Sequence, residues 1–241
     1  MKSVKWAIVA TLAALGAMSP VMGAVIIDSE KTDFTFNIDY LGQVKGEEAK
    51  EIGALGSFTF TGLSEDKLTY NFNYSITNDS KAESRLRSFG FNEVSSAGIA
   101  KATSTGAYAY ADLDVNYPEK AGRMDICFAS TENGSCTGGK DGLNSGETGK
   151  GTFALTLEKA VSSLALDDFI VRFQSIDPKI NGGDSGVGFG SVVGSDVGSG
   201  DVVSPAPEPV TWAMMILGFG LIGATMRQRR DLRMPAMIAA R

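Results

Sequence analysis

Between residues 25 and 181 apolar and polar side chains alternate, and this period of two limits the fold more than any other feature of the chain. In "DFTFNIDY" the apolar positions are Phe34, Phe36, Ile38 and Tyr40. In "KLTYNFNYSIT" they are Leu68, Tyr70, Phe72, Tyr74 and Ile76, set against Thr69, Asn71, Asn73 and Ser75. "TFALTLE" repeats the pattern with Phe153, Leu155 and Leu157, and "DFIVRFQSI" with Phe169, Val171 and Phe173. Successive side chains of a strand point to opposite faces, so this period marks strands with one dry and one wet face. "GSFTFTG", "LRSFGFNEV" and "GRMDICF" are shorter candidates, and turn-forming runs such as "TNDS" and "ENGS" separate them. Only "DSKAESRLRS" and "SSAGIAKATS" have room for a short helix. About eight such strands predict an all-β fold, a single antiparallel β-sandwich of jelly-roll type. No repeat of fixed period points instead to a solenoid.

The alternation stops near residue 181. From 182 to 204 the text is "GGDSGVGFGSVVGSDVGSGDVVS", a Gly/Ser/Val/Asp tract without a core period. It reads as a flexible stalk with a coil reach of about 25 Å. The expected organisation is a signal peptide (1–24), a β body (25–181), this stalk (182–204), a C-terminal segment (205–230) containing a transmembrane helix (210–226), and a short cytoplasmic tail (231–241).

Histidine is absent, which excludes Ser-His-Asp and Cys-His catalysis and every histidine-containing metal site. The chain has 22 basic and 28 acidic residues. Without Lys2, Lys5 and the five arginines and one aspartate after the last apolar run, 15 basic face 27 acidic residues, a net of −12. Such a body repels phosphate backbones and anionic head groups, so nucleic acid is not an expected partner. Basic polysaccharides, cations and neutral glycans are compatible with it.

Cys127 and Cys136 are the two cysteines, both within "DICFASTENGSC". An even count in an exported chain predicts a disulfide, and closing so short a loop contributes about 2.5–3 kcal/mol in the chain-entropy model. Several motifs resemble sites without meeting their requirements. "GGDSGVG" carries Ser185 in a protease-like context, but no histidine exists to take its proton. "NSGETGKGT" has Asn144 and Gly151 where a P-loop needs Gly and Ser/Thr, and it precedes a strand. "DPKINGGDSGVG" places Lys179 and Gly188 at ligand positions of a calcium loop, leaving only a looser trio of Asp177, Asn181 and Asp184. The pairs Asp112/Asp114 and Asp167/Asp168 are the carboxylates available to a glycosidase. No catalytic residue, metal or cofactor is therefore expected. Ice binding would require a repeated flat Thr-x-Thr array, and Thr59-Phe-Thr61 stands as an isolated instance.

Both ends carry targeting features. "MKSVKWAIVATLAALGAMSPVMGA" has a basic start, an apolar run and small residues at Gly23 and Ala24, the three parts of a secretory signal. At the other end Val210 to Met226 is apolar for 17 residues. As a helix it spans about 25 Å, at the lower limit for a hydrocarbon core of roughly 30 Å. Trp212 occupies an interfacial position, and Arg227, Arg229 and Arg230 follow on the side expected to stay cytoplasmic.

Pro207-Glu208-Pro209, Trp212, the run "AMMILGFGLIGA" and the arginine cluster together resemble the PEP-CTERM sorting segment of Gram-negative bacteria. The resemblance covers the last tenth of the chain and implies transient residence in the inner membrane with recognition and processing there by an exosortase. It also implies delivery to the cell surface or extracellular matrix, since such substrates are associated with exopolysaccharide and biofilm. "DLRMPAMIAAR" extends past the point where these segments usually stop. The body is similar to the cistern subgroup of such substrates in "SRLRSFGFN", the Cys127/Cys136 pair followed by "TGG", "GKGTFALTL", "FIVRFQSI" and "SGVG". The expectation is an exported, non-enzymatic protein of the exopolysaccharide matrix. A glycan-binding module is the alternative and a carboxylate-based glycoside hydrolase the third reading.

Overall fold

The computed structural model describes residues 23–119, 121–130, 136–139 and 141–193, together with the backbone of 202–203. The expected signal helix and the transmembrane helix 210–226 lie outside these residues. In chain order the elements are β1 (Ala24–Asp28), β2 (Phe34–Val44), β3 (Glu47–Leu63), β4 (Thr69–Asn78), β5 (Glu83–Glu93), β6 (Ile99–Ser104), a 3-10 turn (Gly106–Tyr108), β7 (Tyr110–Tyr117), β8 (Gly122–Ala129), β9 (Leu143–Asn144), β10 (Thr148–Leu157), β11 (Ser163–Asp177), β12 (Ser185–Val193) and β13 (Val202–Val203). The protein is all-β, and every strand pairing is antiparallel. The two stretches with room for a helix are turn and strand, leading into β5 and β6.

All strands belong to one hydrogen-bonded sheet, with the main order β6-β10-β4-β3-β2-β12-β11-β5-β8-β7. Its end strands, β6 and β7, are joined by the 3-10 turn and come together, so the sheet is nearly closed into a barrel. A sandwich needs two sheets facing each other; here one continuous ladder rolls over until its two halves face each other. The rolled interior is aromatic. Phe153 of β10 meets Phe128 of β8 with ring centroids 4.8 Å apart, Phe58 of β3 meets Phe89 of β5 at 5.7 Å, and Phe36 of β2 meets Phe169 of β11 at 5.8 Å. Rings of this kind bury large area and pack in tilted or offset pairs, which is what joins the two halves.

Tight hairpins set the register. Lys45 and Gly46 both have positive φ (54° and 80°), as do Asn181 and Gly182 (51° and 72°). Two successive left-handed residues form the turn whose twist matches flanking strands. The loop that resembled a calcium site is therefore a turn between β11 and β12, in which Ile180 and Gly183 bond each other.

β12 corrects the expected stalk. Residues 185–193 form an interior strand, paired on one side with β11 and on the other with β2. Its inward positions are glycines because no side chain fits: a Cβ on Gly190 would sit 2.4 Å from Ile38 Cγ2 and 2.8 Å from Phe169 Cβ. One on Gly188 would sit 2.7 Å from Val171 Cγ2. The core period continues through β12, written in glycine where the neighbours' bulk fills the space. The rest of the stalk, 194–201 and 204, lies outside the described residues.

Two expected outcomes follow from this packing. Gly190→Ala should lower the unfolding free energy by about 2 kcal/mol through overpacking; an unchanged denaturation midpoint would contradict the account. Burial raises the phenol pKa of Tyr40, Tyr70, Tyr74, Tyr108 and Tyr117 above its usual value. The native chain then keeps protons that the unfolded chain releases near pH 10, so stability falls as pH rises through about 10. Phenolate absorbance should appear together with loss of near-UV circular dichroism; five phenols titrating ahead of unfolding would refute this.

Candidate functional site

Two surfaces collect the polar chemistry of the body. The first lies outside β5, β8, β11 and β12, where Cys127, Ala129, Ile170 and Val187 form a second apolar cluster with Tyr117 and Cys136. Cys127 and Cys136 are joined in a disulfide, and both are fully buried. The bridge holds residues 136–139 over the sheet. Beneath them Ser88 Oγ donates to the Cys136 carbonyl at 2.6 Å and bonds the Tyr117 hydroxyl at 3.0 Å. Gln174 Nε2 donates to the Thr137 carbonyl at 3.0 Å. Arg87, fully buried, donates from Nε to the Gly138 carbonyl at 2.8 Å and from Nη1 to Ser130 Oγ, and it pairs with Asp141 at 3.6 Å. A buried guanidinium is stable only when its donors are engaged, and these partners engage them.

The tip of the β7–β8 hairpin completes this cover. Glu119 takes a contact from Arg172 Nη1 at 3.4 Å and accepts the Lys45 amide at 2.8 Å. Arg172 Nη1 also donates to the Gly186 carbonyl at 2.9 Å. Lys45 Nζ donates to the Gly182 carbonyl at 2.9 Å, so the tips of three hairpins are tied together. Burial depresses the Arg172 pKa, and the Glu119 carboxylate works against that shift. These groups hold structure: each is turned toward another part of the chain.

The second surface is the wet face of β2-β3-β4-β10-β6. The register aligns Thr35, Thr59, Asn73 and Thr152 across four strands, and Thr105, just beyond β6, bonds Thr152. Hydroxyls meet in cross-strand pairs: Thr35–Thr59 at 2.8 Å, Thr69–Thr156 at 3.0 Å, Thr77–Thr148 at 2.8 Å and Thr105–Thr152 at 2.8 Å. Thr61 Oγ1 donates to the Asn71 carbonyl at 3.1 Å, and Asn71 Nδ2 to the Gly62 carbonyl at 3.2 Å. A shallow depression of about 230 Å³ runs between Thr61, Asn71, Asn73, Thr103 and Thr152. The Thr-x-Thr at Thr59 and Thr61, isolated in sequence, is one column of a two-dimensional array. The legible signal is that the wet positions on β4 (Thr69, Asn71, Asn73, Ser75, Thr77) carry Thr, Asn and Ser in place of Lys and Glu.

Of the acidic candidates, Asp114 lines a depression of about 470 Å³ together with Glu93, Asp125 and Glu158. Asp114 has a positive φ of 58° and pairs with Arg123 at 3.1 Å. Asp167 accepts the Asp168 amide at 2.7 Å with its pKa raised by burial, and Asp168 accepts from Asn92 at 2.9 Å. Asp184 pairs with Lys179 at 3.5 Å, and Ser185 pairs with Gln174 in the ladder. Among the described residues no three Cys, Asp or Glu side chains group so as to hold a metal ion. The sorting residues Pro207, Glu208, Pro209, Trp212, Arg227, Arg229 and Arg230 lie outside the described residues.

No protein-family model, curated protein or solved structure matches this chain.

Glu119→Gln should destabilise the protein by about 2–3 kcal/mol, because Arg172 would stay buried without its counter-charge. Replacing the pair together, Arg172→Met with Glu119→Leu, should cost less than Glu119→Gln alone. Denaturant unfolding of both variants tests this, and the opposite order would refute it.

Proposed function

We propose that the chain is an exported, non-enzymatic protein of the cell surface or extracellular matrix, delivered by a C-terminal sorting segment that an inner-membrane exosortase engages. The observation that carries this reading is the fate of the polar side chains in the body. They close on one another beneath the disulfide-tied cover or spread flat over an open sheet face; in the depression lined by Glu93, Asp114, Asp125 and Glu158, Glu93 and Asp125 accept backbone amides and Asp114 pairs with Arg123. A rigid body of this design offers surface, whereas catalysis needs groups converging on one reacting atom.

Two further features agree with export and sorting. The buried Cys127–Cys136 bridge suits an oxidising compartment. β1 begins at Ala24, where signal cleavage is expected, and pairs with β13 through Ala24↔Val203 and Val25↔Val202. The two ends directed toward the membrane therefore leave the body side by side. Three residues, Ser204 to Ala206, separate β13 from Pro207.

The test is mass spectrometry of the surface fraction from a Gram-negative host that has an exosortase. The expected mature chain begins at Ala24 or Val25 and ends near Pro207. A full-length chain retained in the inner membrane with residues 210–226 intact would overturn the sorting reading.

A further inference from the structure

We propose that the wet face of β2-β3-β4-β10-β6 is a binding surface for neutral polysaccharide; this rests on the matrix reading above and names the polymer that the surface contacts. The face has the bonding character of a sugar chain. A threonine hydroxyl both donates and accepts, and so does an asparagine amide, which lets either group complement a sugar hydroxyl in any orientation. The cross-strand pairs Thr35–Thr59 and Thr105–Thr152, each 2.8 Å, fix these hydroxyls before any ligand arrives. In each pair one hydroxyl donates to the other, and the second keeps its own hydrogen for an outside acceptor. Fixed donors lose less rotamer freedom on binding than mobile ones. Asn73, exposed at the centre of the face, adds an amide.

Charge and shape select the occupant. Residues 25–193 carry 24 acidic and 15 basic side chains, a net of −9, which disfavours acidic polymers. The central row is uncharged, with Asp39 and Lys101 toward the margins and Lys150 opposite Ser75 in the neighbouring row. A protein partner or a lipid surface would seek an apolar centre to bury. Here the central row is hydroxyls and amides with only Ala154 beside it, the exposed Leu41 and Leu55 stand at one end near Asp39, and the aromatic rings on these strands face inward. Neighbouring strands lie about 4.8 Å apart, so the face is roughly 19 Å wide across five strands. That breadth suits an extended chain over a single sugar. Each contact competes with water and is weak, so a polymer that repeats the contact along its length is the ligand that gains.

The test uses the full chain, with affinity electrophoresis in dextran and pull-down on microcrystalline cellulose as neutral glucan probes and alginate as the anionic one. The expected result is retention by at least one neutral glucan in preference to alginate. Asn73→Glu combined with Thr103→Glu should weaken it at least tenfold with the melting temperature unchanged. Lys179→Glu, an equal charge change at the β11–β12 turn, should leave it intact. No retention by either glucan, preference for alginate, or wild-type binding by the double variant would overturn the proposal. Protease accessibility on intact cells separates the two readings. A chain displayed at the surface that binds no glucan defeats this inference alone, whereas a chain that never reaches the surface defeats the sorting reading.

Discussion

The aromatic interior is the constraint from which the other features follow. Phe58, Phe89, Phe128, Phe153 and Phe169 interlock from strands far apart in sequence, with Phe72 and Phe153 stacked at 4.6 Å. Rings of this size cannot be covered by a flat sheet, so the sheet must roll until its own inner face covers them. Rolling brings β6 and β7 together and leaves little open edge, the feature that otherwise makes β proteins aggregate. It also places half of every strand outside, and the character of those outward residues then decides what the surface can do.

Outside, the molecule has two characters. Over β5, β8, β11 and β12 the outward residues are apolar or buried and charged, and they are covered by residues 136–139 and by the β7–β8 tip. Over β2, β3, β4, β10 and β6 they are mostly hydroxyls and amides, many bonded across strands and open to solvent, with Leu41 and Leu55 exposed at one end. The disulfide belongs to the covered half, where Cys127, Tyr117 and Ser88 form a buried chain of contacts with a Tyr117–Cys127 distance of 3.1 Å. Its effect is to hold the cover whose Gly138 carbonyl accepts from Arg87. The open half has no such cover and needs none, since its polar groups are bonded to each other and to water.

β12 shows how a local text and a global packing can disagree. Gly186, Gly188 and Gly190 stand among serines and valines in a tract that has the composition of a linker. Their conformational freedom is not what the fold uses; it uses their lack of a Cβ, so that β12 lies against Tyr40, Phe169 and Phe173. The cost of ordering glycine is offset by the pairing on both sides, with β2 and β11.

The sequence by itself determined the long alternating strands, their buried faces, the cysteine pair and the loss of every histidine-based chemistry, because these depend on residue type and on spacing within a few positions. The inward set from Phe34 to Tyr40 and from Tyr70 to Ile76 is the set that period two marks. Only the tertiary structure decided which strands are neighbours, that a single sheet closes on itself, and that Thr35, Thr59, Asn73, Thr152 and Thr105 share one surface. Register between strands as distant in sequence as β2 and β12 is set by how the rings and glycines fit together, and no local pattern carries that information.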